Sequence, residues 1–243
     1  MIEIINGELK NMKTYAIVGN QYEGLYTQPW STVQKYTQTK PAPRYKGFTS
    51  ASAAQSWFDE QKNSQDLSSR KYSIAYDGQF KTDPEKYYLF TDGGSRNTGN
   101  VAGGHVKATD KAAWALAIYR GNNLTEPLFQ AAEAFFGRTN NEMEILAVIH
   151  SLEQAQKVTA PVVIVSDSKY VLDSVTNWMH NWKAAGWKKS TGTIANLELW
   201  QKVDQLLQPI AERLEFIWVK GHATSAGNVL VDRLLNEAMD QLK

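Results

Sequence analysis

The chain has no cysteine. That excludes disulfide cross-links, thiol nucleophiles and zinc sites built on thiolates, and it agrees with a reducing compartment. Neither sign of charge dominates. There are 26 Lys+Arg against 25 Asp+Glu, a formal net charge of +1, so any nucleic-acid surface must be local rather than a field of the whole molecule. No apolar run is long enough to span a bilayer, so no membrane partner is expected. The opening residues lack both a basic leader and a long apolar stretch, so no secretory signal is read and a cytoplasmic location is expected. What is present is a hydrophobic content of 42% in 243 residues, enough for a packed core in one large or two smaller domains.

Residues 1–12 read as a poorly ordered extension. Residues 13–59 read as a small α+β unit, with strands over 14–18, 24–26 and 44–48, a helical segment after Trp30 and a capped helix after Thr49. From Lys13 to Phe58 the cations are Lys13, Lys35, Lys40, Arg44 and Lys46, and the sole acid is Glu23. Basic residues interleaved with aromatics suit contact with a nucleic-acid backbone plus stacking. A solvated basic face on a small domain explains the same composition. Residues 61–69 are polar and unpatterned and 76–85 turn-rich, so 60–86 read as a flexible tether in which 70–76 could form transient local structure. A tether would raise the effective concentration of one module beside the other.

Residues 87–243 carry the chemistry. The run 88–91 is strand-forming and enters Asp92, Gly93 and Gly94. An aspartate at a strand end can aim into a cleft, although Asp-Gly also opens ordinary turns. Strands over 112–119 and 128–136 follow on short connections, so the first three should be antiparallel. Thr139 and Glu142 have capping-box spacing, which assigns Glu142 to a helix start rather than to catalysis. Glu144 falls among the apolar residues of that helix, where a carboxylate needs a cation, a metal or partial exposure. The run 161–166 is apolar throughout, as in a strand covered on both faces, and it enters Asp167. Either Asp167 repeats the Asp92 arrangement, or Asp167 or Ser168 merely caps the next helix. Residues 177–190 hold three tryptophans and three lysines without an acid, a second local basic-aromatic patch that favours nucleic-acid contact over core packing. A strand over 214–219 leads to a loop carrying His222, and Asp232 lies in the first turns of the last helix.

Asp92, Glu144, Asp167 and Asp232 therefore share one description, as acids at strand ends or helix N-termini. If the strands ending in Asp92 and Asp167 are parallel neighbours, their carboxylates meet. Acids gathered without cations are tolerable with bound metal, and all-oxygen ligands select hard ions such as Mg²⁺ or Mn²⁺.

These motifs resemble ribonuclease HI over roughly residues 87–241: Thr91-Asp92-Gly93, Thr139 through Glu144, Ser166 through Val171, Val219 through His222, and Asn228 with Asp232. Tyr15, Gly24, Trp30, Tyr45, Lys46 and Trp57-Phe58 resemble the hybrid-binding domain that precedes many type 1 ribonucleases H. The resemblance implies a ribonuclease H-like mixed five-stranded sheet flanked by helices, preceded by the small α+β domain. It also implies hydrolysis of the RNA strand of RNA–DNA hybrids with two Mg²⁺ ions, replaceable by Mn²⁺. Asp92, Glu144, Asp167 and Asp232 would be metal ligands and His222 a catalytic helper. Gly93, Gly94, Asn97, Asn140 and Asn141 would meet the RNA side, and Thr139 a DNA phosphate. Trp178, Trp182 and Lys183 would line a DNA-side track. Trp30, Tyr45 and Lys46 would grip the hybrid, with double-stranded RNA as a second ligand of that domain, on a monomeric chain. Gly47 stands where the family often has a second lysine, and the first turn, residues 19–23, is not basic.

Overall fold

The computed structural model describes residues 2–5, 8–11, 13–40, 42–69, 72–96, 106–189, 192–221 and 225–243, with backbone alone for 2–5, 8–11 and 63–69. The chain divides into two compact units, Met1–Leu67 and Ser68–Lys243.

In the first unit, β1 (Ile2–Ile5) and β2 (Glu8–Asn11) pair antiparallel, where the sequence reading expects disorder. The isoleucines favour extended backbone, and the intervening Asn6-Gly7 is a strong hairpin-turn sequence. A three-stranded antiparallel sheet follows: β3 (Thr14–Val18) lies between β4 (Gly24–Tyr26) and β5 (Arg44–Phe48). α1 (Trp30–Val33) links β4 to β5, and α2 (Ala51–Ser69) follows β5. Ala16, Ile17, Val18, Val33 and Ala54 are fully buried and form the small core. α2 continues through residues 60–69, the first part of the expected tether. No glycine or proline interrupts 51–69, so nothing in the local sequence stops the helix.

The second unit is a six-stranded mixed sheet. β6 (Ser73–Ala75) precedes the meander of β7 (Tyr87–Arg96), β8 (Lys111–Arg120) and β9 (Phe129–Phe136). α3 (Asn140–Ala155), β10 (Val162–Ser166), α4 (Lys169–Asp173) and α5 (Met179–Ala184) come next, with a π turn over 174–178 joining the last two. α6 (Leu197–Leu207), β11 (Leu214–Val219) and α7 (Ala226–Gln241) complete it. The strand order is β6-β11-β10-β7-β8-β9. The meander is antiparallel, and β10 is parallel to both β7 and β11. All five expected strands are present. The sixth, β6, comes from the stretch read as a tether and pairs parallel with β11 at the sheet edge.

Two cores sandwich the sheet. Alternate residues of β7 face opposite ways: Leu89 joins Met143, Ile149 and Trp200 on one side, while Tyr88 and Phe90 join Val231 and Leu235 on the other. β10 is buried along its whole length, which explains its unbroken apolar sequence. With both faces of the central strands covered, polar side chains find an opening only where the strands part at their C-terminal ends.

Candidate active site

Asp92 does not end its strand. β7 runs on to Arg96, with Gly93 opposite Trp114 and Gly94 opposite Ala113 of β8. What stops at this level is the other ladder: the parallel pairing of β7 with β10 finishes at Thr91 opposite Ser166. Asp92 and Asp167 are thus the first residues past the last rung on two adjacent parallel strands, and their carboxylates converge in the gap.

Glu144 reaches the same gap from α3. The helix starts with a capping box, in which Thr139 Oγ1 accepts from the Glu142 amide at 3.2 Å and the Glu142 carboxylate accepts from the Thr139 amide at 2.8 Å. Glu142 is therefore a cap, as its spacing predicts. Glu144 lies two residues on, 8% exposed. It can lie there because residue 93 has no side chain: a Cβ on Gly93 would fall 2.2 Å from the Glu144 backbone nitrogen. Asp167 is not occupied with capping. Ser168 does that, its hydroxyl accepting from the Val171 amide at 3.4 Å, while the Trp218 indole N–H donates to the Asp167 main-chain carbonyl at 2.9 Å.

One carboxylate oxygen from each of Asp92, Glu144 and Asp167 lies within 4.8 Å of the others. Asp232, on α7, stands outside this tight group but close enough to act on Asp92 as a like charge. Burial, then Asp167 and Asp232, push the Asp92 carboxyl up to about 8 against a hydrogen bond from the Gly93 amide. Glu144 is raised well above the usual carboxylate range, first by burial, then by Asp92 and Asp167, despite a hydrogen bond with the Asn140 side chain. The charges acting on Asp92 and Glu144 are all carboxylates. Such a set fits a hard divalent cation, which would replace mutual repulsion with attraction and hold the acids ionised.

The other predicted residues divide. His222 and Asn97 lie outside the described residues, as do residues 100–105. Gly221, just before His222, packs close to Asp167, with a Cβ there 2.9 Å from Asp167 Oδ2. Asn141 is exposed at the start of α3. The Asn140 side chain is engaged with Glu144 and the Thr139 hydroxyl with Glu142. Gly93 and Gly94 take packing roles under α3 and Leu235.

The three residues expected on the DNA side differ in their surroundings. Trp178 is 38% exposed, but Trp182 is buried and packs on Trp200 with ring centroids 6.0 Å apart. Lys183 Nζ lies 2.9 Å from Asp204 Oδ2, with both side chains largely covered. The patch lacks an acid in sequence, yet α6 supplies one in space together with an aromatic floor.

In the first unit, Trp30 stacks on half-exposed Tyr45 at 5.4 Å and Lys46 is exposed, its ammonium 5.4 Å from the Phe48 ring. Tyr15, part of the family pattern but given no contact role by it, extends this aromatic face at 5.1 Å from Trp30. Tyr15 pairs with Gly47 across the ladder, and a Cβ on Gly47 would fall 2.9 Å from the Tyr15 ring. The absent lysine and the placement of Tyr15 are thus linked, and a strand register applied to residues 14–18 and 44–48 could have found the pair.

Residues 84–240 match the family described as RNase H, and residues 13–58 match the one described as Ribonuclease H1 N-terminal domain. A ribonuclease H of Acidovorax sp. is 39% identical over 127 residues, covering 52% of this chain and 83% of that protein. One from Hydrogenovibrio crunogenus is 39% identical over 155 residues, covering 63% and 95%. Among solved structures, LC9-RNase H1, a type 1 RNase H with the type 2 active-site motif, aligns with a TM-score of 0.53 at 25% identity over 68% of this chain and 76% of that one.

Proposed function

The chain belongs to the ribonuclease H family and carries a ribonuclease H1 N-terminal domain, and from that premise we propose that it hydrolyses the RNA strand of RNA–DNA hybrids, leaving 5′-phosphate and 3′-hydroxyl ends. The observation that carries the reading is the convergence of Asp92, Glu144 and Asp167 within 4.8 Å, where the charges of the described residues that act on Asp92 and Glu144 are carboxylates.

Asp92, Glu144, Asp167 and Asp232 would hold two Mg²⁺ ions, or Mn²⁺. When bound, these ions supply the charge that activates the attacking water and steadies the leaving oxygen. Asp92 would be the shared ligand, because Asp167 and Asp232 both act on it and it acts on Glu144. Glu144 and Asp167 flank it on the helix and strand side, and Asp232 closes the site from α7. Glu144 is buried and the other three acids are partly covered, which strengthens the charge interactions among them relative to open water. His222 moves protons or helps product leave. Exposed Asn141 at the α3 start reads the 2′-hydroxyl side of the hybrid, the feature that separates RNA from DNA. Trp178 offers a stacking surface to the DNA strand. Trp30, Tyr45 and Lys46 grip the hybrid through the N-terminal domain, with Tyr15 extending their aromatic face and double-stranded RNA as a second ligand.

The test offers end-labelled hybrid, double-stranded RNA, single-stranded RNA and DNA duplex in parallel, with Mg²⁺, Mn²⁺ or EDTA. Cleavage of the hybrid's RNA strand alone, dependent on metal and leaving 5′-phosphates, is expected. Cleavage in EDTA, or equal cutting of the four substrates, would overturn the reading.

A further inference from the structure

The matched RNase H region begins at residue 84, yet the chain packs onto the catalytic sheet well before that point. Tyr72 donates its hydroxyl to Asp173 Oδ1 at 2.9 Å, tying the segment to the end of α4. Ser73, Ile74 and Ala75 then pair with Ile217, Trp218 and Val219 of β11. Tyr76 lies edge-on against Trp218 with ring centroids 5.3 Å apart. Phe80 crosses to the opposite core and packs 5.6 Å from Tyr88. Four successive attachments make this segment a strap across one edge of the sheet, in place of a free tether.

The strap ends on a residue that touches the proposed metal site. Trp218 is 7% exposed. Tyr76 covers one part of its ring, and the Lys169 ammonium lies 4.5 Å from its centroid. From that position its indole N–H holds the Asp167 main-chain carbonyl. The next residues of the same strand lead to Gly221, which sits against the Asp167 carboxylate. The pairing of β6 with β11 therefore connects to Asp167 by two routes, through the Trp218 ring and through the chain that leaves the strand toward Gly221.

We propose that residues 72–80 form a positioning strap for the catalytic centre, in which β6 and Tyr76 fix Trp218 so that its indole N–H holds Asp167 in the geometry that takes up divalent metal. Tyr76 and Trp218 are positioning residues and touch neither substrate nor metal. The inference rests on the reading of Asp167 as a metal ligand. It adds that the N-terminal segment of the second unit tunes metal uptake.

Tyr76 is 65% exposed, so truncating it leaves no core cavity and a folded variant is assured on packing grounds. In the full chain, Tyr76→Ala and Trp218→Phe should each raise the Mg²⁺ concentration for half-maximal cleavage by roughly tenfold, the scale of losing an outer-shell partner. The KM for hybrid should stay unchanged, and Tyr76→Phe should behave as wild type. Two readouts need no turnover. Mn²⁺ binding to the substrate-free protein, by calorimetry, should weaken in the same two variants. Amide exchange over residues 166–169 in EDTA should also accelerate. Wild-type metal binding and exchange in folded Tyr76→Ala and Trp218→Phe would overturn the strap. Failure of the underlying reading looks different: Asp167→Asn would keep wild-type Mg²⁺-dependent cleavage.

Discussion

Gly93 and the backbone of Glu144 are in direct contact: a Cβ at residue 93 would meet the Glu144 nitrogen at 2.2 Å and the Met143 carbonyl carbon at 2.4 Å. Backbone on both sides leaves nothing flexible to give way. Gly93→Ala must push α3 off β7, at or above the roughly 3 kcal/mol upper end of ordinary overpacking. Because the displaced element carries Glu144, cleavage should fall further than stability alone explains. Thermal unfolding and turnover measured well below the variant's own Tm separate the two losses. A Gly93→Ala protein with wild-type Tm would show that the close approach is not needed.

Asp92 is acted on by both Asp167 and Asp232, so its neutral isostere should have two opposite effects. Asp92→Asn removes the shared metal ligand, and Mg²⁺-dependent cleavage should drop to background while hybrid binding, read by gel shift, persists. The same change relieves repulsion among buried carboxylates, so in EDTA at pH 8 the variant should unfold at a higher temperature than wild type. Equal cleavage by the two proteins would sink the metal assignment.

The raised carboxyls also fix the sign of a pH effect. Unfolded, Asp92 titrates near 3.9; folded and metal-free, it is pushed up to about 8. Between these values the folded chain keeps a proton that the unfolded chain has released, so stability falls as pH rises through the window. Glu144, also raised, acts in the same direction. In EDTA the Tm should decline from about pH 5 to pH 8, and Mg²⁺ should restore more of it at pH 8 than at pH 5, because the ion must displace those protons. A Tm that rises over this range in EDTA would contradict the raised Asp92 and Glu144 carboxyls.

Much of this site was legible in the chain because its parts obey local rules. The capping box at Thr139 and Glu142, the apolar run of β10 ending before Asp167 and the order of the acids all follow from short stretches, and the structure keeps them. What local reading missed depends on distant partners. Asp92 looks like the end of a strand because glycines follow it, but β8 holds Gly93 and Gly94 in the sheet. Residues 73–75 have too little pattern to announce a strand, and β11 supplies the ladder that makes them one. Likewise, nothing near Lys183 in sequence points to Asp204.

That last contrast separates two tryptophans four residues apart. Trp178 is 38% exposed and Trp182 is buried against Trp200, so truncating each should damage a different property. Trp182→Ala opens a large cavity in the core and should cost about 3–5 kcal/mol of stability. Hybrid affinity of the fraction still folded should change little. Trp178→Ala leaves no comparable void, so its Tm should stay close to wild type. Its hybrid affinity should fall by the roughly 1–3 kcal/mol that a base–aromatic stack contributes. Denaturant titration paired with fluorescence anisotropy on a labelled hybrid reads both quantities. If Trp182→Ala kept its stability and lost hybrid binding, the buried face of this helix would have to open when substrate arrives, and the tryptophan-lysine segment would be a moving clamp instead of a fixed ledge.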